Sequence, residues 1–259
     1  MWKLLAASVA GTSHLARNAV CQDAHAAAAV ETAGGVVLVV VAADGAGRAA
    51  HADVGAGLAC EVLTDLVRSD LREGLDPAAV DADTLAHWVG SARRAVLDEA
   101  CRRECRPRDL ASTVALAVVG ETRSAFAQIG DGAVVVGGTD GPTPVFWPQA
   151  GEYANTTNFL TDDDFAANAM YEIRDGRVAE AAVLTDGLQR LALDYAARVA
   201  HPGFFAPLFA RLAAAADPRD LAAGFRAFLD SPPVNARTDD DKTLILAVRE
   251  RPPCHPRRP

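Results

Sequence analysis

The sequence predicts an α+β protein of layered sheets and helices, and three observations carry that reading. Strand-length apolar runs stand toward both ends of the chain, so both termini are expected to join sheets. Two long amphipathic helices are inserted between groups of strands, without regular βαβ alternation. No internal repeat or linker divides the 259 residues, which gives one domain over 1–250 and a Pro/Arg-rich tail over 251–259 that is expected to fray.

The elements follow in order. Lys3 to Ala10 reads as the first strand, Gly11 to Gln22 as a loop, and Asp23 to Glu31 as a strand. Gly34-Gly35 marks a turn. Val36 to Ala43 is β-branched and has no polar alternation, as in a strand buried on both faces. A helix runs from Ala52 to Val67, with Val54, Leu58, Val62 and Leu66 on one stripe. A second covers Thr84 to Cys105, with Leu85, Trp88, Val89, Ala92 and Val96 inward, Asp83 as its N-cap and Pro107 as its stop. Three short strands follow at Thr113–Val119, Ser124–Ile129 and Ala133–Val136. Gly137 to Pro148 is a loop, and Met170–Arg174 with Val178–Thr185 reads as a hairpin across Asp175-Gly176. Helices are expected at Leu188–Ala200, Phe204–Ala215 and Arg219–Leu229, then a loop from Ser231 to Thr238 and a closing strand at Thr243–Val248.

Composition excludes several classes. Half the residues are hydrophobic, which excludes a disordered chain. Five cysteines at irregular spacing do not make a disulfide framework and read as free thiols of a reducing cytoplasm. Cys101 and Cys105 share a helix face, but two ligands make a weak metal site. The net charge of −9 argues against nucleic acid as the main partner. The longest apolar run is far shorter than the ~20 residues of a membrane helix, and no targeting signal stands out. Phosphate-binding glycine motifs and a nucleophile elbow are both missing.

The placement of aspartates is more telling than their number. Asp44, Asp131 and Asp186 each follow a hydrophobic strand and precede glycine, Asp240 stands just before the last strand, and Asp23 lies where the early loop enters a strand. Singly, each reads as a turn or cap. If these strand ends converge, the carboxylates repel one another unless a cation sits among them. An all-oxygen set selects a hard ion such as Mg²⁺ or Mn²⁺.

These motifs in their order, Cys21-Gln22-Asp23-Ala24, Ala43-Asp44-Gly45-Ala46-Gly47, Gly130-Asp131-Gly132, Thr185-Asp186-Gly187-Leu188 and Asp240-Asp241-Lys242-Thr243, resemble those of the metal-dependent protein phosphatases, the type 2C serine/threonine phosphatases. Gly11, Ser13 and His14 ahead of Cys21-Gln22-Asp23 are similar to a bacterial branch. The resemblance runs from residue 11 to about 248. It implies an α-β-β-α sandwich of two antiparallel sheets flanked by helices, with metals in a cleft at one edge. It also implies that Asp44 bridges two Mn²⁺ or Mg²⁺ ions with the Gly45 carbonyl as a further ligand, that Asp186 and Asp240 each bind one, and that Asp131 matches the position of a third. Asp23 is implied to act close by through metal-bound water, and Thr113 is similar to a structural threonine. The implied reaction is hydrolysis of phosphoserine or phosphothreonine by direct attack of a metal-bridging hydroxide.

The sequence departs from the family at several points. Gln22 stands in place of a usual glutamate. The substrate phosphate falls to Arg17 or His14; Arg17 has the charge and fork geometry, but its spacing to Asp23 is one residue longer than usual. His14 reads equally as a structural hydrogen-bonder, and His51 as a surface residue at a helix start. Asp162-Asp163-Asp164 reads as a solvated loop or helix cap, with a metal or substrate-loop role as the alternative, since 150–168 lies where relatives carry a variable flap. Asp239 and Asp241 flank Asp240, and the spacing to Thr243 favours Asp240 as the ligand. The expected partner is a phosphorylated protein, with a cognate serine/threonine kinase; the chain is expected to be a monomer. The alternatives are a low-activity pseudophosphatase that binds a phosphoprotein or kinase, and a phosphoesterase acting on a small molecule.

Overall fold

In the computed structural model the described residues are 1–138, 141–149 and 157–250. In chain order the elements are β1 (Trp2–Val9), α1 (Thr12–Ala16), β2 (Ala24–Thr32), β3 (Gly35–Ala43), α2 (Ala52–Arg72), α3 (Ala82–Arg102), β4 (Val114–Val119), β5 (Arg123–Ile129), β6 (Ala133–Gly137), β7 (Thr143–Pro144), α4 (Phe165–Asn168), β8 (Met170–Asp175), β9 (Glu180–Leu184), α5 (Gln189–Ala192), β10 (Leu193–Asp194), β11 (Val199–Ala200), α6 (Pro202–Ala214), α7 (Ala222–Leu229), α8 (Pro232–Asn235) and β12 (Lys242–Arg249).

Two five-stranded antiparallel sheets stack, one in the order β1-β12-β9-β6-β7 and the other β2-β3-β4-β5-β8. The unbroken apolar run of β3 is explained by its two buried faces. Leu38, Val40 and Ala42 enter the layer between the sheets with Phe126, Val134, Val183 and Ile245. Val37, Val39 and Val41 face outward onto α2 and α3, against Leu63, Val67, Leu85 and Trp88. A third layer packs Leu184, Leu244 and Leu246 under Phe205, Phe209, Phe225 and Leu229 of α6 and α7. The arrangement is the α-β-β-α sandwich that the resemblance implied.

Local departures from the sequence expectations have identifiable causes. The 11–22 loop contains α1, and the loop after Leu229 contains α8. A two-residue strand, β7, falls in the loop that begins at Gly137. The deepest face of α2 is Ala52, Ala56, Ala59, Leu63 and Val67, because small residues let the helix approach the sheet; Val54, Leu58, Val62 and Leu66 pack at its flank. The N-cap of α3 is Asp81, not Asp83: its Oδ1 accepts the Thr84 N–H at 2.8 Å. That helix ends before Pro107, where Glu104 turns into the left-handed region with φ 55°.

Two corrections are larger. β8 and β9 are not a hairpin: β8 pairs with β5 and β9 with β6 and β12, in different sheets. The intervening residues cross between the layers and bury Val178 there, while Gly176 N–H bonds the Thr122 carbonyl at 2.7 Å. Leu188–Ala200 is not a helix. After the single turn of α5 the chain forms the β10–β11 ribbon, because Asp194 Oδ1 accepts the N–H groups of Ala196 and Ala197 and so competes with helix. The tail 251–259, and with it Cys254, lies outside the described residues, as does the 150–156 part of the expected flap.

Candidate metal and phosphate centre

One edge of the sandwich collects the strand ends. Asp44 leaves β3, where its N–H donates to Thr113 Oγ1 at 3.0 Å and its carbonyl accepts Thr113 N–H at 2.8 Å. Thr113 is buried and thereby fixes the Asp44 backbone, and Gly45 forms a β-bridge with Ser112. Asp186 opens a short 3-10 turn after β9, and Asp131 lies in the turn between β5 and β6. One oxygen from each of Asp44, Asp131 and Asp186 can be chosen so that all three lie within 4.8 Å of one another; among the described residues this is the one such cluster of potential metal ligands. Cys101 and Cys105 are outside it, as unpaired thiols.

Asp23 lies beside this trio. Its Oδ2 accepts the Thr185 hydroxyl at 2.7 Å, and Thr185 in turn accepts the Thr243 N–H at 2.9 Å. Its Oδ1 is buried without a hydrogen-bond partner, as is Oδ1 of Asp131. Burial, opposed by the threonine hydrogen bonds, pushes the Asp23 carboxyl up to about 7. Burial and the charges of Asp131, Asp240 and Asp23 push Asp186 up to about 8. Asp44 is raised well above the ordinary carboxylate range by burial and then by Asp23, Asp186 and Asp131; Asp131 is raised by burial. Three half-buried carboxylates beside the buried Asp23, with two orphaned oxygens, fit a divalent cation with oxygen ligands. Asp240 is exposed, and its charge acts on both Asp131 and Asp186.

Asp241, passed over in favour of its neighbour, anchors the early loop. Its Oδ1 accepts the Gly11 N–H and its Oδ2 the Gln22 N–H, both at 2.6 Å. His14 Nδ1 lies 2.8 Å from Asp241 Oδ1, and both side chains are buried. Of the two phosphate candidates, His14 is therefore committed to the interior, while Arg17 is exposed with its Nε donating to the Ser13 carbonyl at 3.1 Å. Gly11 and Gly187 both press on the 239–241 backbone, and a Cβ at either would collide with it.

Other side chains met here gave no separate signal in the sequence. Thr157 Oγ1 donates to Asp131 Oδ2 at 2.9 Å, and Gln189 Nε2 donates to the Asp131 carbonyl. Ser8 Oγ bonds His25 Nδ1 at 2.7 Å and Thr243 Oγ1 at 2.6 Å. Asp162 Oδ2 accepts the Phe159 N–H at 2.7 Å within a turn, and Asp164 at the start of α4 makes no side-chain cap bond, so the helix-cap reading of the acidic tract does not hold; His51 sits at the α2 start.

A family model for "Protein phosphatase 2C" matches residues 10–230. The chain belongs to this family. It is 37% identical over 250 residues to serine/threonine-protein phosphatase 3 of Escherichia coli (strain K12), covering 95% of this chain and 98% of that one. Solved structures agree in fold. The S. agalactiae serine/threonine phosphatase superposes with a TM-score of 0.63 at 14% identity, over 96% of this chain and 100% of that one. Serine/threonine phosphatase Stp1 from Staphylococcus aureus gives 0.59 at 15%, over 97% and 96%. The matched residues include Asp44, Asp131 and Asp186, whereas Asp240 lies beyond residue 230.

Proposed function

We propose that this protein phosphatase hydrolyses phosphoserine and phosphothreonine in proteins, with the aspartate cluster as its Mn²⁺ or Mg²⁺ site. The observation that carries the reading is the approach of the Asp44, Asp131 and Asp186 carboxylates to within 4.8 Å in a chain of the 2C family. Asp44, Asp186 and Asp240, with the Gly45 carbonyl, would hold two ions, and Asp131 a third. Such ions, when bound, lower the pKa of water and offset charge on the phosphoryl oxygens.

The protein's own residues supply the rest. Asp23, held by Thr185, orients the attacking water and accepts its proton. The new P–O bond forms as the bond to the serine or threonine oxygen breaks; that oxygen takes a proton from solvent water and leaves as the hydroxyl, and Asp23 returns its proton to solvent. Arg17, exposed on the loop that Asp241 anchors, binds the substrate phosphate. Gln22, where relatives have glutamate, contributes its backbone N–H to that anchor.

A cognate serine/threonine kinase, a monomeric state and a cytoplasmic location complete the reading. The unpaired Cys21, Cys60, Cys101 and Cys105 support a reducing compartment. No described helix is long and apolar enough to cross a membrane. The test is phosphate release from phosphoserine, phosphothreonine and phosphotyrosine peptides with Mn²⁺, with Mg²⁺ and with EDTA. Release from the first two that requires a divalent ion is expected; release only from phosphotyrosine, or undiminished in EDTA, contradicts it.

A further inference from the structure

Met1 aside, the large apolar side chains exposed among the described residues lie on two segments: Leu15 and Val20 on the 11–22 loop, and Tyr195 and Val199 on the β10–β11 ribbon. Scattered exposed apolar residues are ordinary. Confinement to two segments tied to one site is not. The loop is tied through Asp241. The ribbon is tied through Gln189, whose Oε1 accepts the Tyr195 hydroxyl while its Nε2 donates to the Asp131 carbonyl.

The ribbon side is also stiff. The Trp147 and Tyr195 rings meet edge to face with centroids 5.2 Å apart, and the Arg198 guanidinium lies 5.4 Å over Trp147. Arg198 holds a left-handed φ of 55° in a turn that Asp194 pins through two N–H groups. The Tyr195 phenol is raised by burial and by the charges of Asp131 and Asp186, in keeping with its place beside the cluster. Its hydroxyl is spent on Gln189, so what it offers outward is ring, half exposed and next to Val199.

Resting on the phosphatase reading above, we propose that Tyr195, backed by Trp147 and Arg198, is a specificity-determining wall that takes an apolar side chain flanking the phosphorylated residue of a protein substrate. Outward, the Tyr195 ring and Val199 offer apolar surface, and Gln189 links that ring to the Asp131 carbonyl of the centre.

The test compares kcat/KM of the full chain with Mn²⁺ on two phosphothreonine peptides differing only in leucine or glycine beside the phosphothreonine. Wild type is expected to favour the leucine peptide by about tenfold, the scale of one small apolar contact. Tyr195→Ala is expected to bring that ratio to about one, chiefly through KM, whereas Tyr195→Phe, which keeps the ring, retains it. A ratio unchanged in Tyr195→Ala, or lost equally in Tyr195→Phe, overturns the proposal. Wild type that hydrolyses both peptides equally overturns this inference alone; wild type that hydrolyses neither overturns the phosphatase reading with it.

Discussion

The hydroxyl of Thr185 donates to Oδ2 of Asp23 at 2.7 Å, joining the end of β9 in one sheet to the entry of β2 in the other. The bond stabilises the ionised carboxylate against its burial.

Thr185→Val therefore raises the Asp23 carboxyl above its present position of about 7. The acid limb of the pH–rate profile moves to higher pH, and activity near neutrality falls about tenfold, the scale of a hydrogen bond to a charged group. The lost acceptor also leaves Thr243 N–H unpaired, which costs about 1–3 kcal/mol of stability. An unshifted acid limb contradicts this role.

Asp241→Asn removes one of the two acceptors that hold Gly11 and Gln22 and breaks the pairing with His14. A loss of about 2–3 kcal/mol in chemical denaturation is expected, with faster proteolysis within residues 11–22. Combined with His14→Gln, the two losses are non-additive, because the side chains share one contact. Additive losses with an uncut loop contradict the anchor.

The acid cluster sets a sign for pH. Asp23 and Asp186 sit at about 7 and about 8 in the folded chain, above the ordinary aspartate range near 4. Between these limits the folded state holds more protons, so stability falls as pH rises from about 4 to about 8. In EDTA the melting temperature should drop over that range, and Mn²⁺ should raise it more at the alkaline end than at the acid end. A metal response that shrinks with pH contradicts the shared site.

Arg17→Ala is expected to raise KM for a phosphopeptide about tenfold, while His14→Gln acts mainly on melting temperature because His14 is buried against Asp241. Kinetics and calorimetry on both variants decide between them; a KM effect confined to His14→Gln reverses the assignment.

What the sequence made legible depended on range. Strands such as β3 and β12, and the inner stripe of α3, were readable because burial is written in local hydrophobic pattern. The sheet change between β8 and β9 was not, since an Asp-Gly turn looks alike whether the strands pair or part. The aspartates of the cluster were legible from their place at strand ends. Thr185, Asp241 and Gln189 were not, although the first two stood inside quoted motifs. Their roles rest on partners 58 to 230 residues away, which no local pattern encodes.

Asp44 is the residue on which the account turns, because Asp23, Asp131 and Asp186 all act on it. The most direct measurement is phosphate release from a phosphothreonine peptide by wild type and Asp44→Asn, each with Mn²⁺ and with EDTA. The account predicts release by wild type with Mn²⁺ and a loss of at least about a hundredfold on either chelation or substitution. Wild type without activity, or activity that survives both changes, contradicts it.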